Sequence, residues 1–154
     1  ADVEMNWSAA EQSNSSVIVG DLAIVKMFRR VTNGPHPEAE MSRHLTEQGF
    51  ASTPALLGEV VRVDSDGTRH ALVIAQAFVR NQGDAWTWTQ DLLLRGLSDI
   101  TSGDEAATAH TEYVHFAALL GQRLGEMHQV LARPSSDPAF APATGTAETA
   151  ATFA

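Results

Sequence analysis

An α+β fold is what this sequence predicts: an antiparallel sheet with a helix packed on it, followed by further helices. Three observations carry that prediction. Two stretches read as β-hairpins, each a pair of apolar, β-branched runs around a turn. A helix with clear start and stop signals lies between them. A long stretch late in the chain then repeats its large apolar residues at spacings of three and four.

The first hairpin joins Val17-Ile18-Val19 to Leu22–Phe28 through Gly20-Asp21, and glycine supplies the positive φ that so tight a turn needs. Asn33-Gly34-Pro35-His36-Pro37 breaks the pattern. Pro37 can open a helix because its missing N–H is not needed there, and Gly49 ends that helix after Gln48. The second hairpin runs from Leu56 to Val63 and from His70 to Val79, around Asp64-Ser65-Asp66-Gly67. Trp86–Leu94 reads as a short helix and Ser98–Thr108 as a polar loop. The longest helix is expected from His110 to Ala132, with Tyr113, Phe116, Leu120, Leu124, Met127 and Leu131 as its apolar stripe. Ala117, Gly121 and Gly125 form a row of small residues on it, which points to close packing against another element. After Pro134 the chain turns to Ala, Thr, Pro and Ser, a composition that predicts a mobile tail.

With 154 residues, 44% of them hydrophobic, the chain can bury one core. A net charge of -9, with no basic cluster beyond Arg29-Arg30, argues against nucleic acid and against an anionic membrane surface. No apolar run reaches membrane-spanning length and no signal peptide pattern opens the chain. The absence of cysteine excludes disulfide and thiolate chemistry and fits a cytoplasmic protein. The six histidines show no metal-binding spacing, and Asp64–Gly67 lacks the calcium-loop pattern, so it reads as a turn and no metal site is expected.

Lys26 is the one residue that strand chemistry does not explain by itself. It is the only lysine in the chain, and it lies in Leu22-Ala23-Ile24-Val25-Lys26-Met27-Phe28, on the face of Leu22, Ile24 and Phe28. Either its ammonium snorkels to water or an anion meets it. The following helix offers Glu38 and Glu40, and a strand lysine that pairs with a helix glutamate and reaches nucleotide phosphates is the kinase arrangement. Glu40 can equally pair with Arg43 or His44 on its own helix. The polar run Glu11–Ser16 can bring backbone N–H groups close to an anion, or can be an ordinary surface loop.

Taken in order, the blocks Glu11–Asp21, Ile24–Arg30, Asn33–Glu40, Phe78–Trp86, Leu120–His128 and Asp137–Pro142 resemble the N-lobe and early C-lobe of bacterial maltokinases. These are eukaryotic-kinase-like enzymes, related to aminoglycoside phosphotransferases, that phosphorylate maltose with ATP. The resemblance implies a protein-kinase-like N-lobe over residues 1–80, a linker and first C-lobe helices over 81–133, and a tail over 134–154. It implies that Gln12, Ser13, Asn14, Ser15 and Ser16 cover the ATP phosphates. Lys26 would contact those phosphates with Glu40 as its partner, Ile24 would line the adenine pocket, and Gln76 to Phe78 would form the hinge. The implied ligands are ATP with Mg²⁺ and maltose, and the implied partner is trehalose synthase, fused or bound. No H-x-D catalytic block occurs and only ten residues precede the Glu11 block. The catalytic Asp and the metal ligands are therefore expected outside this chain, and the chain alone is expected to be inactive. Two rivals stand beside this reading: a kinase for another acceptor, such as glucosamine or an aminoglycoside, and a non-catalytic kinase-like interaction module.

Overall fold

A computed structural model of the chain describes residues 3–7, 14–102, 107–146 and 151, without the side chains of 107–109. Five strands and three helices follow one another as β1 (Met5–Trp7), β2 (Asn14–Val19), β3 (Ala23–Phe28), α1 (Pro37–Glu47), β4 (Leu56–Val63), β5 (Arg69–Ala77), α2 (Ala85–Ser102) and α3 (Ala107–Leu131). The strands form one antiparallel sheet in the order β1-β2-β3-β5-β4. The architecture is α+β, consistent with a kinase-like N-lobe. Contacts divide the chain into two compact units, Ala1–Tyr113 and Val114–Ala154, and the sheet lies in the first.

The first hairpin closes at Gly20, whose φ of 51° suits glycine, and a Cβ there would come within 3.1 Å of Val3 Cγ1. Helix α1 starts at Pro37 and ends with Gly49 at φ 71°, where the Phe50 N–H caps the Leu45 carbonyl at 2.9 Å.

Strand pairing sets what each sheet face carries. Lys26 lies directly between Ser16 and Ile74, and Ile24 between Ile18 and Gln76. These residues share one face, onto which α1 sends Glu38 and Ser42. The opposite face takes Met5, Trp7, Val17, Val19, Ala23, Val25, Met27, Val73 and Ala75 from the same registers. A bulge between Val60 and Val61 places Val60 opposite Val73 but Val61 opposite Ala71. The step from 73 to 71 puts Leu72 out of register and turns Ala71 to the face of Ile74. There Phe28, Ala39, Ala71 and Ile74 form the buried core, with Leu56 packed against it.

Four expectations change. Leu22 lies in the turn, 65% exposed, so it does not share the face of Lys26. Asn14–Ser16 extend β2 instead of belonging to a loop. Helix α2 does not stop at Leu94 but runs on to Ser102, and α3 already begins at Ala107, so the described residues at both ends of the expected loop over Ser98–Thr108 are helical. The apolar spacing of Leu93, Leu97 and Ile100 continues through the polar composition, and the Thr101 hydroxyl donates to the Ser98 carbonyl at 2.7 Å. Finally, beyond their chain neighbours and the nearby backbone of their own helix, no atom of the described residues comes within 4 Å of a Cβ built at Gly121 or Gly125, so among the described residues these two glycines form no tight packing seam.

Candidate nucleotide-binding site

Lys26 emerges from the middle of β3, with a side chain 26% exposed. Its Nζ donates to Glu38 Oε1 at 2.5 Å. The partner is therefore Glu38 and not Glu40, on which the resemblance places it. Pro37 at the first helical position puts Glu38 in the first turn of α1. Residues two apart on a helix do not face the same way, so Glu38 and Glu40 cannot both meet the lysine. Arg43 does not pair with Glu40 either; it crosses to Glu59 on β4 at 2.6 Å.

The next residue on the Glu38 face is Ser42, four positions on. Its Oγ accepts from Gln76 Nε2 at 2.9 Å. Glu38 and Ser42 thus pin one side of α1 to two neighbouring strands, one to β3 and one to β5. Gln76 is buried and its amide is committed to the helix. Phe78 is half-buried just past β5, where its N–H donates to the Leu22 carbonyl at 3.0 Å.

Beside the lysine, Ser16 is 7% exposed and its Oγ has no hydrogen-bond partner among the described residues. A buried hydroxyl without a partner is costly, by about 1–3 kcal/mol, and this one is the direct cross-strand neighbour of Lys26. Asn14 lies on the same face, opposite Phe28. Ser15 belongs to the other face, opposite Met27, and its hydroxyl accepts from Arg29 Nε at 3.1 Å. Gln12 and Ser13 lie outside the described residues. The structure thus brings together Lys26, Ser16, Ile24 and Gln76, and turns the Ser15 side chain away.

Ser42 is the site residue that sequence reasoning passed over, and Glu38 was named beside Glu40 without being chosen as the partner of Lys26. The signal was their spacing of four from the first turn, which sets both on one helix face.

An ammonium held by one carboxylate, next to an unpartnered hydroxyl and apolar strand residues, can bind an anionic group at its remaining donors. Among the described residues no three of His, Asp or Glu gather closely enough to hold a metal ion. No helix among them is long and apolar enough to cross a membrane.

No family model matches the chain. Over 89 residues, 58% of its length, it is 33% identical to a glucosamine kinase of Mycolicibacterium smegmatis. It spans only 22% of that relative. The likeness is to part of a kinase.

Proposed function

We propose that the chain is the ATP-binding part of a sugar kinase, with residues 1–80 as its nucleotide lobe, 81–133 as the start of the second lobe and 134–154 as a tail. The observation that carries this reading is the Lys26–Glu38 pair beside the orphaned Ser16 hydroxyl. In it Lys26 offsets phosphate charge, Glu38 holds the ammonium in place, and the Ser16 hydroxyl gains a partner when a phosphate or nucleotide oxygen arrives. Ile24, on the same face two residues earlier, gives the base an apolar wall, and Phe78 stands where the chain leaves the sheet. The resemblance gives Gln12, Ser13 and Asn14 to the phosphates; of these Asn14 lies on β2, on the face of Ser16. Glu40, two positions along α1 from Glu38, is turned from Lys26 and is left out of the site. The resemblance assigns the Mg²⁺ ligands and the catalytic Asp to an H-x-D block and a later Asp, and no H-x-D block occurs in these 154 residues, so the reading gives this chain nucleotide binding rather than phosphoryl transfer.

Two acceptors remain in the proposal. The resemblance of the Glu11–Arg30 and Phe78–Trp86 blocks favours maltose, giving maltose 1-phosphate. The relative's own name favours glucosamine. Partnership with trehalose synthase rests on the resemblance only.

Titration calorimetry of the chain with ATP tests the nucleotide site. Binding is expected, with at least tenfold weakening in Lys26→Met, about the loss of one charge-assisted contact. Equal affinity of wild type and variant, or no binding by a folded wild type, would sink the reading and favour a non-catalytic interaction module.

A further inference from the structure

His70, on β5, is buried with a side chain 4% exposed, and both its ring nitrogens face acceptors. Nδ1 lies 3.1 Å from the Thr32 carbonyl oxygen and Nε2 lies 2.8 Å from Asp64 Oδ2. A peptide carbonyl only accepts. An ionised carboxylate only accepts, and a neutral imidazole has one N–H to give. Asp64 is ionised in this setting: its other oxygen accepts from Arg62 Nε at 3.0 Å. The His70 hydrogen bond first, and the Arg62 guanidinium after it, hold the Asp64 carboxyl below the usual carboxylate range. Satisfying both acceptors therefore takes two ring N–H groups.

We propose that His70 acts as a pH-sensitive clasp, closing on Thr32 and Asp64 as the doubly protonated imidazolium and releasing one of them when it loses a proton. The two partners belong to different segments. Asp64 opens the turn between β4 and β5, while Thr32 lies in the loop that leaves β3 and delivers α1. The same loop is tied to β5 next to the clasp, where Gly34 N–H donates to the Arg69 carbonyl at 3.1 Å. It ends at His36, which stacks on Phe28 at 3.7 Å between ring centroids and precedes the first turn of α1. The clasp thus sets the point from which α1 brings Glu38 to Lys26.

The charged groups around the ring are Asp64 and Asp66 in the turn, Arg62 directly across on β4, and Arg69 beside it, which itself faces Glu59 at 3.9 Å. The two carboxylates of the turn favour a cationic ring, and Arg62 is engaged by Asp64. The sign follows from the geometry. The protonated ring makes both bonds in the folded state and a ring that has lost a proton keeps only one, so the clasp loosens as pH rises. Asp64 acts in the opposite sense, since a lowered carboxyl loses its contribution only as pH falls below the usual carboxylate range.

Ring-nitrogen NMR spectra and thermal unfolding of the whole chain, recorded between pH about 5 and about 8.5, test the clasp without any nucleotide. Both nitrogens of His70 should be protonated at the acidic end, and the midpoint should fall by about 3 °C across the range. In Asp64→Asn the side-chain amide can turn to donate to a neutral ring, so at least half of that fall should vanish. This comparison also removes the share of the other five histidines. A neutral His70 tautomer in the folded chain at the acidic end, or the same pH slope in wild type and Asp64→Asn, would overturn the proposal.

Discussion

At Lys26, the position of one glutamate on a helix decides which residue can act with it. Two acidic residues stand in the first turn of α1, and composition cannot rank them. Helix geometry does. With Pro37 at the first position, Glu38 and Ser42 share the side that meets β3 and β5, and Glu40 is turned from it. This makes a sharp prediction. Glu38→Gln should weaken ATP binding about tenfold, since the ammonium loses the charge that fixes it, whereas Glu40→Gln should stay within about twofold. Calorimetry on both variants checks it, with circular dichroism to show that α1 persists. A larger loss in Glu40→Gln would mean that the pair exchanges partners when nucleotide binds. The lysine, its strand and the presence of a helix glutamate were all legible in the sequence. The choice of partner was not, because it depends on where the helix begins. The burial of Ser16 was not legible either: a serine before a strand reads as loop, and only the register that sets it beside Lys26 shows it as part of the sheet.

Among the elements, the hairpins and α1 follow from local chemistry, since Gly20, Pro37, Gly49 and the Asp64–Gly67 turn each fix a boundary. Helix α2 did not, because its second half trades large apolar residues for Gly96, Ser98, Asp99 and Thr101 while keeping the apolar spacing. Its start is well marked. Asp84 accepts from the Thr87 N–H and hydroxyl, each at 2.9 Å, and the Thr87 backbone bond in particular holds the Asp84 carboxyl below the usual range. What anchors the helix is Leu92, only 2% exposed, while Leu93 beside it is 63% exposed. Leu92 and Leu93 border a cleft of about 290 Å³ with Gly96, Leu97, Ile100, His110 and Tyr113. Leu92→Ala should lower stability by about 2–5 kcal/mol, the usual consequence of truncating a buried leucine, and Leu93→Ala by less than about 1 kcal/mol. Urea unfolding of the two variants separates them. Equal effects would mean that α2 is held by the whole leucine row and not by one buried side chain.

Over the whole molecule, the two faces of the sheet differ in kind. The α1 face is mixed, with Lys26, Ser16, Gln76 and Glu59 set among Ile24, Ile74 and Phe28. The other carries an apolar band from Met5 and Trp7 on β1 through Val17, Val25, Met27 and Val73 to Val60 on β4, with Ser15 as a polar residue beside Met27. Strand alternation made the α1 face legible around Lys26. The second face could not be read along the chain, because it is assembled from five strands and requires the register of each pair, including the β4–β5 bulges. Its rim is open to water: Met5 and Trp7 are each 68% exposed and Val60 is 54% exposed. A contiguous apolar patch beyond a few hundred Å² is uncommon on a soluble monomer and drives association. The purified chain should therefore bind an apolar-surface dye and self-associate as its concentration rises. Placing charge at the two edges, as Trp7→Lys with Val60→Lys, should reduce both effects severalfold while changing stability by less than about 1 kcal/mol, since both side chains are mostly in water already. Dye fluorescence and sedimentation measure the outcome. Dye binding that survives both substitutions but falls on Leu97→Lys, in the α2 cleft, would move the sticky surface from the sheet to the helices.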